Sequence, residues 1–202
     1  MTIWRGAQPL ILASKSPARQ ALLRSAGIAF EVVTAGIDER AIELASGLSG
    51  AAEIASLLAR EKALAVSLQH RNRLVVGADQ TLALGDQRFS KPAGRAEAAG
   101  QLQALAGRTH ELHSAVVVAC NGEAVFSDVS VARMTMRPLD EAAIMAYLDA
   151  AGEAVTTSVG GYQLEGLGVH LFERVEGDYF TVLGLPLLQL LEFLRGRQLL
   201  AV

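Results

Sequence analysis

The sequence predicts a mixed α/β fold, a sheet with parallel and antiparallel parts flanked by helices. Three observations predict it. Strand and helix patterns alternate over the first part of the chain, as parallel pairing requires. Two-residue turn signals, Gly85-Asp86 and Asn121-Gly122, punctuate the later part, where long hairpins dominate. The composition of the 202 residues, 51% hydrophobic and 19% charged, can bury a sizeable core and argues against disorder.

Taken in order, the apolar run from Leu10 to Ser14 reads as a buried strand. Ser16 is placed to cap a helix, with Pro17 at the first helical position, where a missing N–H costs nothing. Leu22 and Leu23 face the core and Gly27 stops the helix. "FEVVTAG" (residues 30–36) is the next strand. A longer helix follows, with Ile54, Leu57, Leu58, Ala65 and Leu68 on one stripe and Lys62 at its flank. "RLVVGAD" reads as a strand ending at Asp79, and "TLALGDQRFSKP" as a hairpin with Lys91 just past its end. An alanine-rich helix ends near Gly107, and two long strands joined by Asn121-Gly122 come next. Asp140 caps another helix, closed by Gly152; a last hairpin turns near Glu176-Gly177, and Pro186 opens the final helix. No point asks to be cut, so residues 1–202 are expected to form a single domain, with two lobes about a cleft compatible with the pattern.

Bulk properties narrow the function. The formal net charge of −3 speaks against a broad nucleic-acid surface, while leaving room for a local basic cleft. The one cysteine, Cys120, cannot form an internal disulfide, which fits a reduced, cytoplasmic setting. No apolar run approaches the roughly 18–20 residues of a membrane helix. Lys15 and its flanking serines cut short the apolar part that a signal peptide needs.

The chemistry concentrates at a few places. The knot Ser14-Lys15-Ser16, with Arg19 one turn on, stands at a helix mouth. Free N–H groups and the positive dipole end make that a place for an anion, and equally an ordinary cap. Asp79, read at a strand end, can hold a divalent cation or activate water, or simply serve a turn. Glu39, beside Asp38, can offer oxygen ligands to Mg²⁺ or be solvated. Lys62 and Lys91 are further cations that, taken singly, read as surface residues. His110 and His113 in "HELH" fall on opposite faces of a strand, so they are not expected to share a metal. The glycine-dense "GGYQLEGLG" around Glu165 permits close backbone approach to a flat ligand, or a plain connection.

These pieces, in this order, resemble the Maf family of nucleoside triphosphate pyrophosphatases. The resemblance runs almost end to end, through "LILASKSPARQALL", "GIDER", "AREKA", "VVGADQT", "KP", "AGRTH" and "YQLEGLGVHLFERVEGDYFTVLGLPL". It implies an elongated mixed α/β fold like that of the inosine-triphosphate pyrophosphatases, two-lobed about a cleft. It implies hydrolysis of a nucleoside triphosphate to the monophosphate and pyrophosphate, with Mg²⁺, Mn²⁺ or Co²⁺, in the cytoplasm and often as a homodimer. Ser14, Ser16 and Arg19 match the family's phosphate motif. Glu39 matches its acidic metal residue, Lys62 and Lys91 its phosphate-contacting lysines, and Asp79 its general base and second metal acid. Glu165 falls at the base-recognition position. One departure is Ala18, where the motif carries a basic or bulky residue; Lys15 is positioned to supply the missing charge.

Two positions bear on the nucleotide. The resemblance is to the 7-methyl-GTP branch at Gln80 and at Glu165; the dTTP/UTP branch carries threonine and glutamine there. An ionised glutamate only accepts hydrogen bonds, which suits the two adjacent donors of a guanine edge and the positive charge of its 7-methylated form. Against this, the 7-methyl-GTP branch often has an aromatic at the place of Ala18. The alternatives are a dTTP/UTP pyrophosphatase and, from another class, a nucleotide-binding regulator of septum formation. Retention of Glu39, Lys62, Asp79 and Lys91 together favours an enzyme over a regulator.

Overall fold

A computed structural model describes residues 3–202. The regular elements are β1 (Leu10–Leu12), α1 (Pro17–Ser25), β2 (Phe30–Val32), α2 (Glu39–Ser46), α3 (Ala51–Ser67), β3 (Val75–Leu84), β4 (Gln87–Phe89) and α4 (Arg95–Leu105). They continue with β5 (Thr109–Cys120), β6 (Glu123–Met136), α5 (Glu141–Ala151), β7 (Phe172–Glu176), α6 (Tyr179–Val182) and α7 (Leu187–Gly196), with three 3-10 turns between α5 and β7. The strands form one mixed sheet in the order β2-β1-β3-β5-β6-β7, with β4 paired to β3. β1 runs parallel to both β2 and β3, whereas β4 and β7 pair antiparallel with β3 and β6. This is the mixed α/β class that the alternating early elements and late hairpins predict.

The chain divides into two compact units, each assembled from non-consecutive stretches. The first takes the chain up to Gln80, with Ser114–Ser130 and Gly184–Val202. The second takes Thr81–His113 and Val131–Leu183. In the first unit, β1 is apolar and buried throughout, as a central parallel strand should be. β2, at the sheet edge, is half-buried to exposed. The core of the second unit gathers Leu82, Leu102, Leu105, Leu112, Met134, Met136 and Leu148, all essentially without solvent contact.

Several elements differ from the sequence-based expectation, each for a local reason. The helix predicted after β2 is two helices. Asp38 caps α2 by accepting from the Ala41 N–H at 3.0 Å, and Gly47, at φ 67°, ends it. The buried stripe of α3 is Ile54, Ala55, Leu58, Ala59, Lys62, Ala63 and Val66; Leu68 is 68% exposed. The stripe is therefore rotated from the leucines toward the alanines, and Lys62 lies on the buried face, not at its flank. Small side chains win that face because α3 packs closely on the sheet. A Cβ at Gly77 of β3 would stand 2.1 Å from the Ala59 carbonyl oxygen and 2.7 Å from the Ala63 nitrogen.

β3 does not stop at Asp79 but continues five residues further, into the hairpin that turns at Gly85 and Asp86. Asp79 pairs with Lys62 from within the strand and serves no turn, so the two predicted strands are one. The hairpin expected at Glu176-Gly177 is instead β7 followed by a short helix. Asp178 accepts from the Thr181 N–H at 2.9 Å and caps α6. The remaining caps agree with the sequence: Ser16 and Asp140 accept from Arg19 N–H and Ala143 N–H, and Pro186 precedes α7.

Candidate active site

Parallel strands β1 and β3 lie side by side, with Ala13 N–H donating to the Val76 carbonyl at 2.8 Å. Ser14, two residues past the end of β1, is consequently beside Ala78. Arg19 of α1 ties this corner together. Its Nη1 donates to Ser14 Oγ at 3.1 Å and to the Ala78 carbonyl at 2.9 Å, and its Nε donates to the Gly184 carbonyl at 2.7 Å. Ser14 Oγ also accepts from Ser16 N–H at 3.3 Å. Burial pulls the Arg19 guanidinium pKa down, with the Asp79 and Glu39 charges opposing that shift. The sequence motif is thus a helix cap whose arginine is fixed by three oxygen acceptors.

Opposite faces of β3 then separate two roles. Gly77 and Asp79 are two residues apart and share a face, so the close approach of α3 at Gly77 sets Asp79 against Lys62 of the same turn of that helix. There Lys62 Nζ lies 2.6 Å from Asp79 Oδ1 and 2.8 Å from Glu39 Oε2, at the first turn of α2. The Lys62 and Asp79 side chains are 10% and 12% exposed, that of Glu39 49%. Burial raises the Asp79 carboxyl above its ordinary range; the Lys62 and Arg19 charges work against this and Glu39 adds to it. The two carboxylates converge on the Lys62 ammonium, and they are the residues that could offer hard oxygen ligands to Mg²⁺ or Mn²⁺.

The first unit therefore brings together Ser14, Ser16, Arg19, Glu39, Lys62 and Asp79. Gln80, next along β3, is half-buried and donates through Nε2 to Ser114 Oγ on β5 at 2.9 Å. Lys15 is exposed on the loop before α1. Lys91 and Glu165 belong to the second unit, both exposed, the first after β4 and the second in the turn that precedes Leu167–Leu171. Gly168 of this segment meets an internal need: a Cβ there would stand 2.3 Å from the Gln163 carbonyl oxygen.

Sequence reasoning missed Ser114, a fully buried serine heading the apolar half of β5, and the Ala78 and Gly184 carbonyls. An isolated serine in "SAVVVA" was the available signal for the first; backbone carbonyls carry none. In the second unit, His110 and His113 do fall on different sides of β5. His110 is buried and meets Tyr162 Oη at 2.6 Å; His113 pairs with Glu111 at 3.1 Å. A cavity of about 290 Å³, lined by Arg137, Tyr147, His170 and apolar side chains, holds none of the site residues.

The family model for Maf-like proteins matches residues 9–197. The chain belongs to the Maf family. It is 66% identical over 202 residues to a "Nucleoside triphosphate pyrophosphatase" of Bradyrhizobium diazoefficiens and 63% identical over 201 residues to one of Rhodopseudomonas palustris, spanning all of both chains in each case. It is also 50% identical over 188 residues to a "7-methyl-GTP pyrophosphatase" of Brucella abortus, with 92% of this chain and 94% of that one covered. The Maf match takes in every candidate residue from Ser14 to Glu165.

Proposed function

We propose that this Maf protein is a nucleoside triphosphate pyrophosphatase that hydrolyses its substrate to the monophosphate and pyrophosphate. The observation that carries the reading is the convergence of Asp79, Glu39 and Lys62 beside the capped mouth of α1. A triphosphate carries about four negative charges near neutral pH, and a site for it needs cations with a carboxylate nearby to direct water. Residues 1–202 are read as one catalytic domain acting on cytoplasmic nucleotides. Among the described residues no helix is long and apolar enough to cross a membrane.

Ser14 uses its oxygen to accept from Arg19 and Ser16, which leaves its hydrogen for a phosphate oxygen. Arg19 holds that hydroxyl in place, and Lys15 supplies further positive charge. Asp79 is the general base: it takes a proton from water aimed at the α-phosphorus as the bond to the bridging oxygen breaks and pyrophosphate leaves. Its raised pKa brings it nearer to the working pH, which favours proton transfer. Glu39 and Asp79 would hold a divalent cation, Mg²⁺, Mn²⁺ or Co²⁺, which when bound neutralises developing phosphate charge.

The preferred nucleotide is read as 7-methyl-GTP or another modified nucleotide. Glu165 supports this, because a carboxylate accepts from both guanine donors and favours the methylated, cationic ring. The name of the Brucella abortus relative supports it too. The test is a pyrophosphate-release screen over normal and modified triphosphates, on the native protein and Glu165→Gln. The expected result is preference for 7-methyl-GTP, relaxed about tenfold or more in the variant. Preference of the native protein for dTTP and UTP would overturn the substrate reading, leaving the activity standing.

A further inference from the structure

We propose that Lys62 is a resident counter-cation at the position where the divalent metal binds, and that metal enters as the ammonium leaves. This rests on the metal-dependent reading of the same site. Lys62 Nζ is within 2.8 Å of both Glu39 Oε2 and Asp79 Oδ1, so it stands at the point on which the two carboxylates converge. A cation with oxygen ligands at about 2.0–2.6 Å would need that same point. Two positive charges cannot share it. The pair buried deepest is Lys62–Asp79, while Glu39 is half-exposed on α2, a helix with no buried residue. Glu39 is therefore the partner able to adjust, and the flexible four-carbon stem of lysine lets the ammonium swing away.

The arrangement solves a problem that a buried acid creates. Without metal, Asp79 would be desolvated beside Glu39 with like charge, which is costly. Lys62 offsets part of that cost and keeps the acids in register. It also couples the two ligands. The triphosphate offers the displaced ammonium a new anionic partner, so nucleotide and metal favour each other's binding, and metal alone binds weakly.

The test is Mn²⁺ titration of the nucleotide-free protein, with free Mn²⁺ read by electron paramagnetic resonance. Lys62→Met keeps the length and apolar stem of the side chain, and Lys62→Gln serves as a second variant that retains hydrogen bonding. Each is checked for folding by circular dichroism. Both variants are expected to bind one Mn²⁺ about tenfold or more tighter than the native protein, by removal of a like charge from the site. Adding Glu39→Gln to either is expected to abolish the gain. Adding the α,β-methylene analogue of GTP is expected to tighten Mn²⁺ binding in the native protein far more than in the variants. Equal or weaker Mn²⁺ binding in a folded Lys62 variant would overturn the proposal. If the native protein still releases pyrophosphate with Mn²⁺ in that case, the function stands and only the counter-cation role fails. If Mn²⁺ binds to no form even with the analogue, the metal-dependent reading falls with it.

Discussion

Substituting Gly77 by alanine should damage the site from a position that touches no substrate. The added Cβ would lie 2.1 Å from the Ala59 carbonyl oxygen and 2.7 Å from the Ala63 nitrogen, both backbone atoms of α3. Neither can rotate away, so the helix must retreat from β3 by roughly 1 Å to reach a tolerable contact. Lys62 travels with that helix and Asp79 stays with the strand. Their 2.6 Å contact then opens past hydrogen-bonding length. Overpacking of this kind costs about 1–3 kcal/mol, or roughly 2–12 °C in melting temperature for a chain of this size. Lys62 then no longer keeps Asp79 and Glu39 in register, and a misplacement of roughly 1 Å at the site should lower kcat about a hundredfold. Thermal melts and pyrophosphate release measure the two effects on one preparation. Gly100→Ala is the control, because its Cβ on α4 meets nothing within 4 Å and should be neutral or slightly stabilising. Retention of both melting temperature and kcat in Gly77→Ala would refute the reasoning.

His110 should shape the acid limb of stability. Burial lowers its pKa from 6.5 to about 4. As pH falls below 6.5 the unfolded chain takes up the proton first, so about 3 kcal/mol of stability present at neutral pH is lost between pH 6.5 and 4. Urea unfolding across that range should show the slope in the native protein and not in His110→Leu, although the variant leaves the Tyr162 hydroxyl unpaired and starts about 1–3 kcal/mol lower. Arg19→Lys should cost about 2–3 kcal/mol in urea unfolding, since one ammonium cannot reach the Ser14, Ala78 and Gly184 oxygens that the guanidinium fork spans. A lysine variant as stable as the native protein would remove Arg19 as the clamp of this corner.

The class of fold was legible because it rests on local chemistry. Alternating apolar runs, Ser16-Pro17, Asn121-Gly122, Asp140 and Pro186 each act within a few residues, and the structure uses each as its chemistry suggests. What was not legible depends on partners distant in sequence. Lys62 looked like a flank residue because leucines outweigh alanines in a hydrophobic pattern, yet the tight packing permitted by Gly77 selects the alanine face. Asp79 looked terminal because a carboxylate seldom sits inside a strand; Lys62 and Arg19 offset part of the cost of its burial. The candidate residues could be named from motifs, but not their pairing. The lysine that reads as a phosphate ligand stands between two acids, and the arginine that reads as an anion contact is held by two carbonyls and a serine.

The most direct test of the account is pyrophosphate release from 7-methyl-GTP and the common triphosphates, with Mg²⁺ or Mn²⁺, by the native protein and by Asp79→Asn. The account predicts release by the native protein and a fall of about 10²–10⁴-fold in kcat for the variant, the span that a general base contributes, with folding retained. No release from any triphosphate by the native protein, or undiminished release by Asp79→Asn, would contradict it.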